Sequence, residues 1–221
     1  MSLSPLHETM LCTESGINPH LVHQRGYCTL VDPDELRDRG FAATQSFAVP
    51  ALGIPLWTVK GEQLGWQIRP DQPRTGANGK LRRYETPYRA RLTLDVHPAM
   101  TPLIGDPTTP LWITEGVKKG DSLATRGCCA IALMGGVWGF RGKNAQGGRV
   151  ILPDWDQVAL NDRDVYIVYD NDIMRKSSVR GALEALVNFL QHRTARTHLV
   201  LLPDGQEKLG VDDFFVQEHT L

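Results

Sequence analysis

Two short apolar runs in the C-terminal half of the chain each end in acid. Leu111-Trp112-Ile113-Thr114 leads into Glu115-Gly116, and Val165-Tyr166-Ile167-Val168-Tyr169 leads into Asp170-Asn171-Asp172. Apolar runs of this length, without alternation, fit parallel strands covered on both faces. Each would deliver its carboxylate to the C-terminal edge of a sheet. Between and after them, Val117 to Arg126 reads as a helix stopped by Gly127, and Cys129 to Leu133 as a second strand ending near Gly135-Gly136. Val165 to Tyr169 is the third strand. Met174 to His192 carries Val179, Leu183, Leu186, Val187 and Leu190 on one helical face, which marks a core-facing helix. His198 to Leu202 is a fourth strand. Strands alternating with helices predict a mostly parallel sheet with crossover helices. Val137 to Asp164 breaks the rhythm and reads as an irregular, glycine-containing insertion.

The N-terminal half is patterned differently. Leu6 to about Gly26 reads as short helices broken at residues 15–19, with Asn18 as an N-cap and Pro19 at the first helical position. His20 and His23, one turn apart, read as a solvated face. Pro33 to Arg39 is another short helix, capped by Asp32 and closed at Gly40. Ala51–Trp57 and Leu64–Arg69 are two strands joined by a turn at Val59–Glu62, followed by a polar loop, Pro70 to Lys80. Leu81 to Pro87 is a third extended piece. Thr101 to Pro110, with three prolines and a Gly-Asp pair, marks a boundary. The expected class is α/β: a mostly parallel sheet flanked by helices over residues 106–221, preceded by a smaller α+β subdomain over residues 1–105.

Composition narrows the class without naming a partner. A chain of 221 residues with 41% hydrophobic and 22% charged residues can bury a substantial core. Its net charge of −1 announces no nucleic acid by itself. Cys12, Cys28, Cys128 and Cys129 have no Cys-x-x-Cys spacing, and the adjacent pair reads as core filling. No secretory leader and no run long enough to span a membrane are visible, so a cytoplasmic, reduced-thiol protein with no membrane partner is expected. Charge is unevenly spread, however. Between residues 69 and 91, Arg69, Arg74, Lys80, Arg82, Arg83, Arg89 and Arg91 face only Asp71 and Glu85, and Trp66, Tyr84 and Tyr88 are close by. Guanidinium groups grip phosphates and aromatic faces stack bases. A nucleic-acid or nucleotide surface is the functional reading, and a solvated hairpin edge the alternative.

Carboxylates just past the ends of parallel strands lie where open α/β sheets bind ligands. Glu115, Asp170 and Asp172 could therefore share a hard divalent cation, which takes oxygen ligands and shares them with substrate phosphates. Gly210-Val211-Asp212-Asp213 adds two acids later in the chain. Gly136 to Asn144 resembles a phosphate-binding loop only superficially. Val137 stands where the first glycine of G-x-x-x-x-G-K-[ST] belongs, and Asn144 replaces the hydroxyl residue. Arg141 and Lys143 remain candidates for phosphate contact. No G-x-S-x-G nucleophile motif is present, nor a dinucleotide-binding glycine fingerprint after the first strand.

Thr114-Glu115-Gly116, Gly135-Gly136, Tyr169-Asp170-Asn171-Asp172 and Gly210-Val211-Asp212-Asp213, in that order, resemble the Toprim domain of DnaG-type primases, topoisomerases and some nucleases. Gly53 to Arg69 and Arg83-Tyr84-Glu85-Thr86-Pro87 resemble the segment preceding Toprim in the primases, and the likeness is nearest to Toprim-like domains of phage, plasmid and integrative-element replication proteins. The resemblance implies nucleotidyl or phosphoryl transfer with Mg²⁺ or Mn²⁺. It implies Glu115, Asp170 and Asp172 as catalytic residues, and these with Asp212 as metal ligands. It assigns Arg69 and Arg83 to nucleotide or template. Arg82 and Tyr84 of the basic stretch, Lys118 and Lys119 on the helix after Glu115, and Arg141 and Lys143 are further candidates for nucleic acid or nucleotide. These are read from charge and aromatic character alone, with a solvated helix face the alternative for Lys118 and Lys119. Implied partners are single-stranded DNA or primer-template, nucleotides, and a helicase domain or subunit. A nucleic-acid-binding module without turnover and a Toprim nuclease are the alternatives. Lys119 stands where those primases carry an Asp, with Asp121 as the nearest replacement, and Asn171 where Gly is usual.

Overall fold

The computed structural model describes residues 2–76, 79–171, 177–205 and 208–217. It opens with α1 (Pro5–Glu8), which continues into a single π-helical turn at Thr9–Thr13. Next comes α2 (Pro19–Arg25), where the Asn18 side chain accepts the His20 N–H at 2.8 Å and Gly26 ends the helix at φ 89°. Strand β1 (Cys28–Leu30) leads to α3 (Pro33–Asp38). There Asp32 Oδ1 accepts the Asp34 N–H at 2.8 Å and Glu35 Oε2 accepts the Asp32 N–H at 3.1 Å, satisfying two donors that a helix start leaves open. Strands β2 (Ala51–Trp57) and β3 (Gln63–Pro70) pair antiparallel around Gly61, with β1 on the far edge of β2. His20 and His23 are exposed, as a solvated face requires.

Five strands form the larger sheet, in the order β10-β9-β5-β6-β4. They are β4 (Leu94–Val96), β5 (Leu111–Glu115), β6 (Cys129–Leu133), β9 (Asp164–Val168) and β10 (Arg196–Val200), all parallel except β4, which runs antiparallel to β6. Between β6 and β9 a small hairpin, β7 (Arg141–Lys143) with β8 (Arg149–Ile151), stands apart as its own two-stranded ladder. The helices are α4 (Val117–Thr125), α5 (Ser177–His192) and α6 (Val211–Val216).

Residue alternation divides the core between the two faces of this sheet. Leu111, Ile113, Val165 and Ile167 pack with Leu183, Leu186 and Leu190 of α5 on one face, joined by Trp155. On the other, Ala130 and Val168 pack with Leu123 of α4 and with Val211, Phe214 and Phe215 of α6. A third cluster crosses between the sheets: Leu52, Ile54 and Leu56 of β2 meet Val117 of α4 and Met134, with Leu11, Val22 and Tyr27. Arg163 is fully buried below β9 and donates to the carbonyls of Leu103, Ile104, Thr109 and Ala159, fixing the loop that feeds β5.

The same crossing carries a buried ionic cluster. Arg25, at the end of α2, reaches Asp95 of β4 at 3.0 Å and Asp121 of α4 at 2.6 Å. Tyr27 donates its hydroxyl to Asp121 at 2.7 Å, and the Trp57 N–H donates to Asp95 at 2.9 Å. The side chains of Arg25, Asp95 and Asp121 are 0–1% exposed. A three-residue strand with a charged centre gives no periodic signal, so β4 is not legible in sequence. β1, the β7–β8 hairpin inside the glycine-containing insertion, and α6 are similarly too short. Leu81 to Pro87, expected as a third extended piece, joins no ladder and makes only isolated bridges, Ile68 with Glu85 and Thr75 with Leu81. Arg74 and the buried Glu85 pair here instead, so this segment is held by side chains rather than by a ladder. Among the described residues no helix is long and apolar enough to cross a membrane.

Arg25→Leu strands two buried carboxylates and is expected to cost about 3–5 kcal/mol. Tyr27→Phe, which removes one hydrogen bond to Asp121, should cost about 1–3 kcal/mol. Urea unfolding checks both, with unchanged m-values showing that the loss lies in stability rather than in a different unfolded state.

Candidate functional site

Three segments meet at the C-terminal edge of the parallel strands. Glu115 closes β5, and Gly116 turns the chain into α4 at φ 87°, ψ 140°, a conformation that only glycine adopts without strain. One turn into α4, Lys119 points back over the strand end. Asp170 follows β9 by two residues and is 1% exposed. Asp212 sits in the first turn of α6 and is 6% exposed. What brings α6 to β9 is Asn171. Its N–H donates to Leu209 O, its Oδ1 accepts the Leu209 N–H at 3.0 Å, and its Nδ2 donates to Pro203 O. A glycine at 171 could make only the first of these bonds.

Lys119 lies at the centre of the acids. Its ammonium is bonded to Asp170 Oδ1 and stands 3.9 Å from Glu115 Oε1. Lys208 pairs with the other Asp170 oxygen. Gly210 lets these groups converge: a Cβ there would lie 2.6 Å from Asp212 Oδ1, 2.7 Å from Lys119 Cε and 3.2 Å from Asp170 Oδ1. Asp212 Oδ1 is buried and receives no hydrogen bond. Burial lifts the Glu115 carboxyl to about 6, a rise moderated by Lys119 and reinforced by the charge and hydrogen bond of Asp170. Burial also pushes Asp170 up, but the charge and hydrogen bond of Lys119, with the hydrogen bonds of Lys208 and Glu115, outweigh it and hold Asp170 low. Burial raises Asp212, against the pull of Lys119. The two carboxyls are thus driven apart, Glu115 upward and Asp170 downward.

A cleft of about 680 Å³ opens above this floor. Arg69, Arg83 and Tyr84 line its far wall, and Lys118, Lys119, Lys208 and the three carboxylates its near side. The Arg69 guanidinium lies 6.0 Å from the Tyr84 ring centre, and Lys118 donates to Ser15 Oγ at 2.7 Å. The structure thus gathers Glu115, Asp170, Asp212, Lys118, Lys119, Arg69, Arg83 and Tyr84 around one space. Arg82 is exposed and outside the cleft lining. Arg141 packs against the Trp138 and Phe140 rings and, like Lys143, belongs to the β7–β8 hairpin rather than to that lining. Asp172 lies outside the described residues. Asp121 does not replace the absent acid of α4, because Arg25 and Tyr27 hold it in the core. Lys208 is the residue that sequence reasoning missed. Its only signal is a basic residue two positions before the Gly-x-Asp-Asp stretch.

Among the described residues, no three of His, Cys, Asp and Glu stand close enough to share one ion as they are placed. The described carboxylates gather around Lys119 instead.

The fold is that of a primase catalytic core. It superimposes on the DnaG catalytic core with a TM-score of 0.61 at 15% identity, over 97% of this chain and 70% of that one. The Aquifex aeolicus primase (zinc-binding and RNA polymerase domains) gives 0.59 at 15% identity, over 92% of this chain and 50% of that one. A DnaG primase catalytic domain bound to single-stranded DNA gives 0.57 at 13% identity, over 97% and 69%. The chain belongs to the family described as domain of unknown function (DUF3854), whose sequence profile matches residues 101–220. It is also 33% identical over 123 residues to an uncharacterized protein of Picosynechococcus sp., spanning 52% of this chain and only 12% of that protein.

The Glu115 proton has a measurable consequence in chelator-treated protein. A carboxyl whose folded pKa of about 6 exceeds its ordinary 4.5 contributes stability that is complete below 4.5 and lost as pH rises through 6. Urea titrations at several pH values should therefore show a fall across this window that Glu115→Gln flattens. Identical slopes in the two proteins would refute the assignment.

Proposed function

We propose that this chain is a primase-like Toprim unit that carries out Mg²⁺-dependent nucleotidyl or phosphoryl transfer on nucleic acid. The observation that carries the reading is the convergence of Glu115, Asp170 and Asp212 on the floor of a cleft whose far wall presents Arg69, Arg83 and Tyr84. The donor set is oxygen alone, which suits Mg²⁺ or Mn²⁺. The buried, undonated Oδ1 of Asp212 is an acceptor left for a cation. Glu115, Asp170 and Asp212 would hold the ion by closing in from their present separation, with Asp172 the fourth candidate outside the described residues. When bound, the ion supplies Lewis-acid stabilisation of the reacting phosphate oxygens.

The chain's own groups supply the rest. Glu115 carries a proton at a pKa of about 6, suited to general acid–base work near neutral pH. Arg69 and Arg83 pair with phosphates, and the Tyr84 ring offers a stacking face without base preference. In this reading residues 1–105 handle single-stranded DNA or primer-template and residues 106–221 hold the reacting centre. The 12% share of the Picosynechococcus protein that the chain matches supports a place within a longer protein, and the motif resemblance supports a helicase beside it. The motif resemblance to phage, plasmid and integrative-element proteins supports a mobile-element setting.

Oligonucleotide synthesis on single-stranded DNA with Mg²⁺ and nucleotides tests the proposal. Glu115→Ala and Asp170→Ala should each lower it about 100-fold or more, with circular dichroism confirming that the variants fold. Full activity in both would sink the site. One observation favours a second reading, a module that binds without turnover: Lys119 and Lys208 both neutralise Asp170. Both readings require the basic wall. Arg69→Ala and Arg83→Ala should each weaken single-stranded DNA binding and reduce the salt-dependence slope by about 1.

A further inference from the structure

We infer that Lys119 is a tethered counter-ion: its ammonium occupies the place beside Glu115 and Asp170 that a divalent cation would take, so that ion and lysine compete for one seat. The inference rests on the metal-site reading above and extends it to how the site is filled. Its basis is position. The Lys119 ammonium is bonded to Asp170 Oδ1 and stands 3.9 Å from Glu115 Oε1. The point where a Cβ of Gly210 would lie is 2.7 Å from Lys119 Cε and 2.6 Å from Asp212 Oδ1. One lysine thus stands between Asp170 and Glu115, with its stem turned toward Asp212.

Electrostatics makes this arrangement consequential. Asp170 and Asp212 are nearly inaccessible to water, so neither can remain charged in the fold without a cation close by. An ammonium tethered four residues after Glu115 satisfies that requirement from within the chain. A divalent ion entering the same seat meets a like charge in a poorly screened setting, where repulsion over a few ångströms is far stronger than in water. Entry then requires Lys119 to rotate off Asp170. A lysine stem is long enough to do so, and Lys119 lines the same open cleft as Arg69 and Arg83. A phosphate held there would receive the displaced ammonium. The structure therefore joins loading of the ion to arrival of a phosphate-bearing ligand: each removes a charge that opposes the other. Linkage makes the effect reciprocal.

Lys118 provides the internal comparison. It neighbours Lys119 in sequence and lines the same cleft, but its ammonium donates to Ser15 Oγ at 2.7 Å. It makes no ion pair with a carboxylate among the described residues, acting on Asp212 only through space. Removing either lysine deletes one positive charge, and only Lys119 vacates the seat.

Mn²⁺ binding to the full chain, followed by electron paramagnetic resonance of the free ion and by calorimetry, tests the inference without turnover. Lys119→Met should tighten Mn²⁺ binding about tenfold or more relative to the unmodified protein, whereas Lys118→Met should change it less than about threefold. Lys119→Gln, which keeps a hydrogen-bonding side chain, should behave like Lys119→Met and guards against a folding defect in either variant. Adding a short single-stranded DNA should tighten Mn²⁺ binding to the unmodified protein and have little further effect in Lys119→Met. Equal Mn²⁺ affinity in the unmodified protein and both Lys119 variants would overturn the competition while leaving the metal site intact. Absence of Mn²⁺ binding in all of them, with the proteins folded, would overturn the metal-site reading and this inference with it.

Discussion

Arg25 lies where α2 ends, Asp95 in the middle of β4 and Asp121 in α4, and these three charges meet with no access to solvent. Desolvating a guanidinium and two carboxylates is costly, and the cost is offset only when all three elements are in place together. Tyr27 and the Trp57 N–H occupy further acceptor positions on the two carboxylates, and Arg25 also donates to Pro55 O. The cluster therefore ties β2 of the antiparallel sheet to β4 and α4 of the parallel one. Removing any one element would leave charge uncompensated in the core. The apolar cluster formed by Leu52, Ile54, Leu56, Val117 and Met134 adds burial at the same crossing, but burial alone sets no register.

The cleft depends on that register. Its far wall comes from β3 and the following segment, and its floor from the ends of β5 and β9 and the start of α6. Asp121 anchors α4 from below while Lys119, two residues earlier, reaches the site from the same helix. A shift of α4 relative to β2 would thus move Lys119 against its carboxylates and the basic wall against the floor at once. Asn171 performs the matching task on the other side, where its two hydrogen bonds to Leu209 hold Asp212 beside Asp170. The two positions at which the sequence departs from the primase pattern, 119 and 171, are both structurally occupied. One supplies a cation and the other a clamp.

Likeness to primase cores at 13–15% identity shows a shared fold, and a fold by itself assigns no chemistry. The site carries the functional argument here. Its acids are largely buried beside Lys119 and Lys208, burial raises Glu115 while the two lysines hold Asp170 low, and its opposite wall is basic and aromatic. The β7–β8 hairpin adds a second cationic and aromatic element at the same sheet edge, where Arg141 and Arg149 lie 5.5 and 5.1 Å from the Trp138 ring centre. Trp138 also lines a smaller cavity with Glu115, Tyr169 and Asp170.

The elements with enough residues to display a period were legible in the sequence. The parallel strands, α4, α5, the β2–β3 hairpin and the caps at Asn18 and Asp32 follow from local patterns of apolar spacing and hydrogen-bonding side chains. So did the carboxylates, because a buried strand must end where its acid begins. Short segments were not legible: β1, β4, β7, β8 and α6 hold their form through neighbours distant in the chain. The same reason separates Asp121 from Asp170. Both are buried acids of the same half of the chain, and only the arrival of Arg25 from 96 residues away makes Asp121 structural. Sequence determined which residues could carry charge to the sheet edge. The tertiary structure decided which charges face each other there, because Coulomb energy depends on distance in space and on burial, neither of which a linear pattern contains.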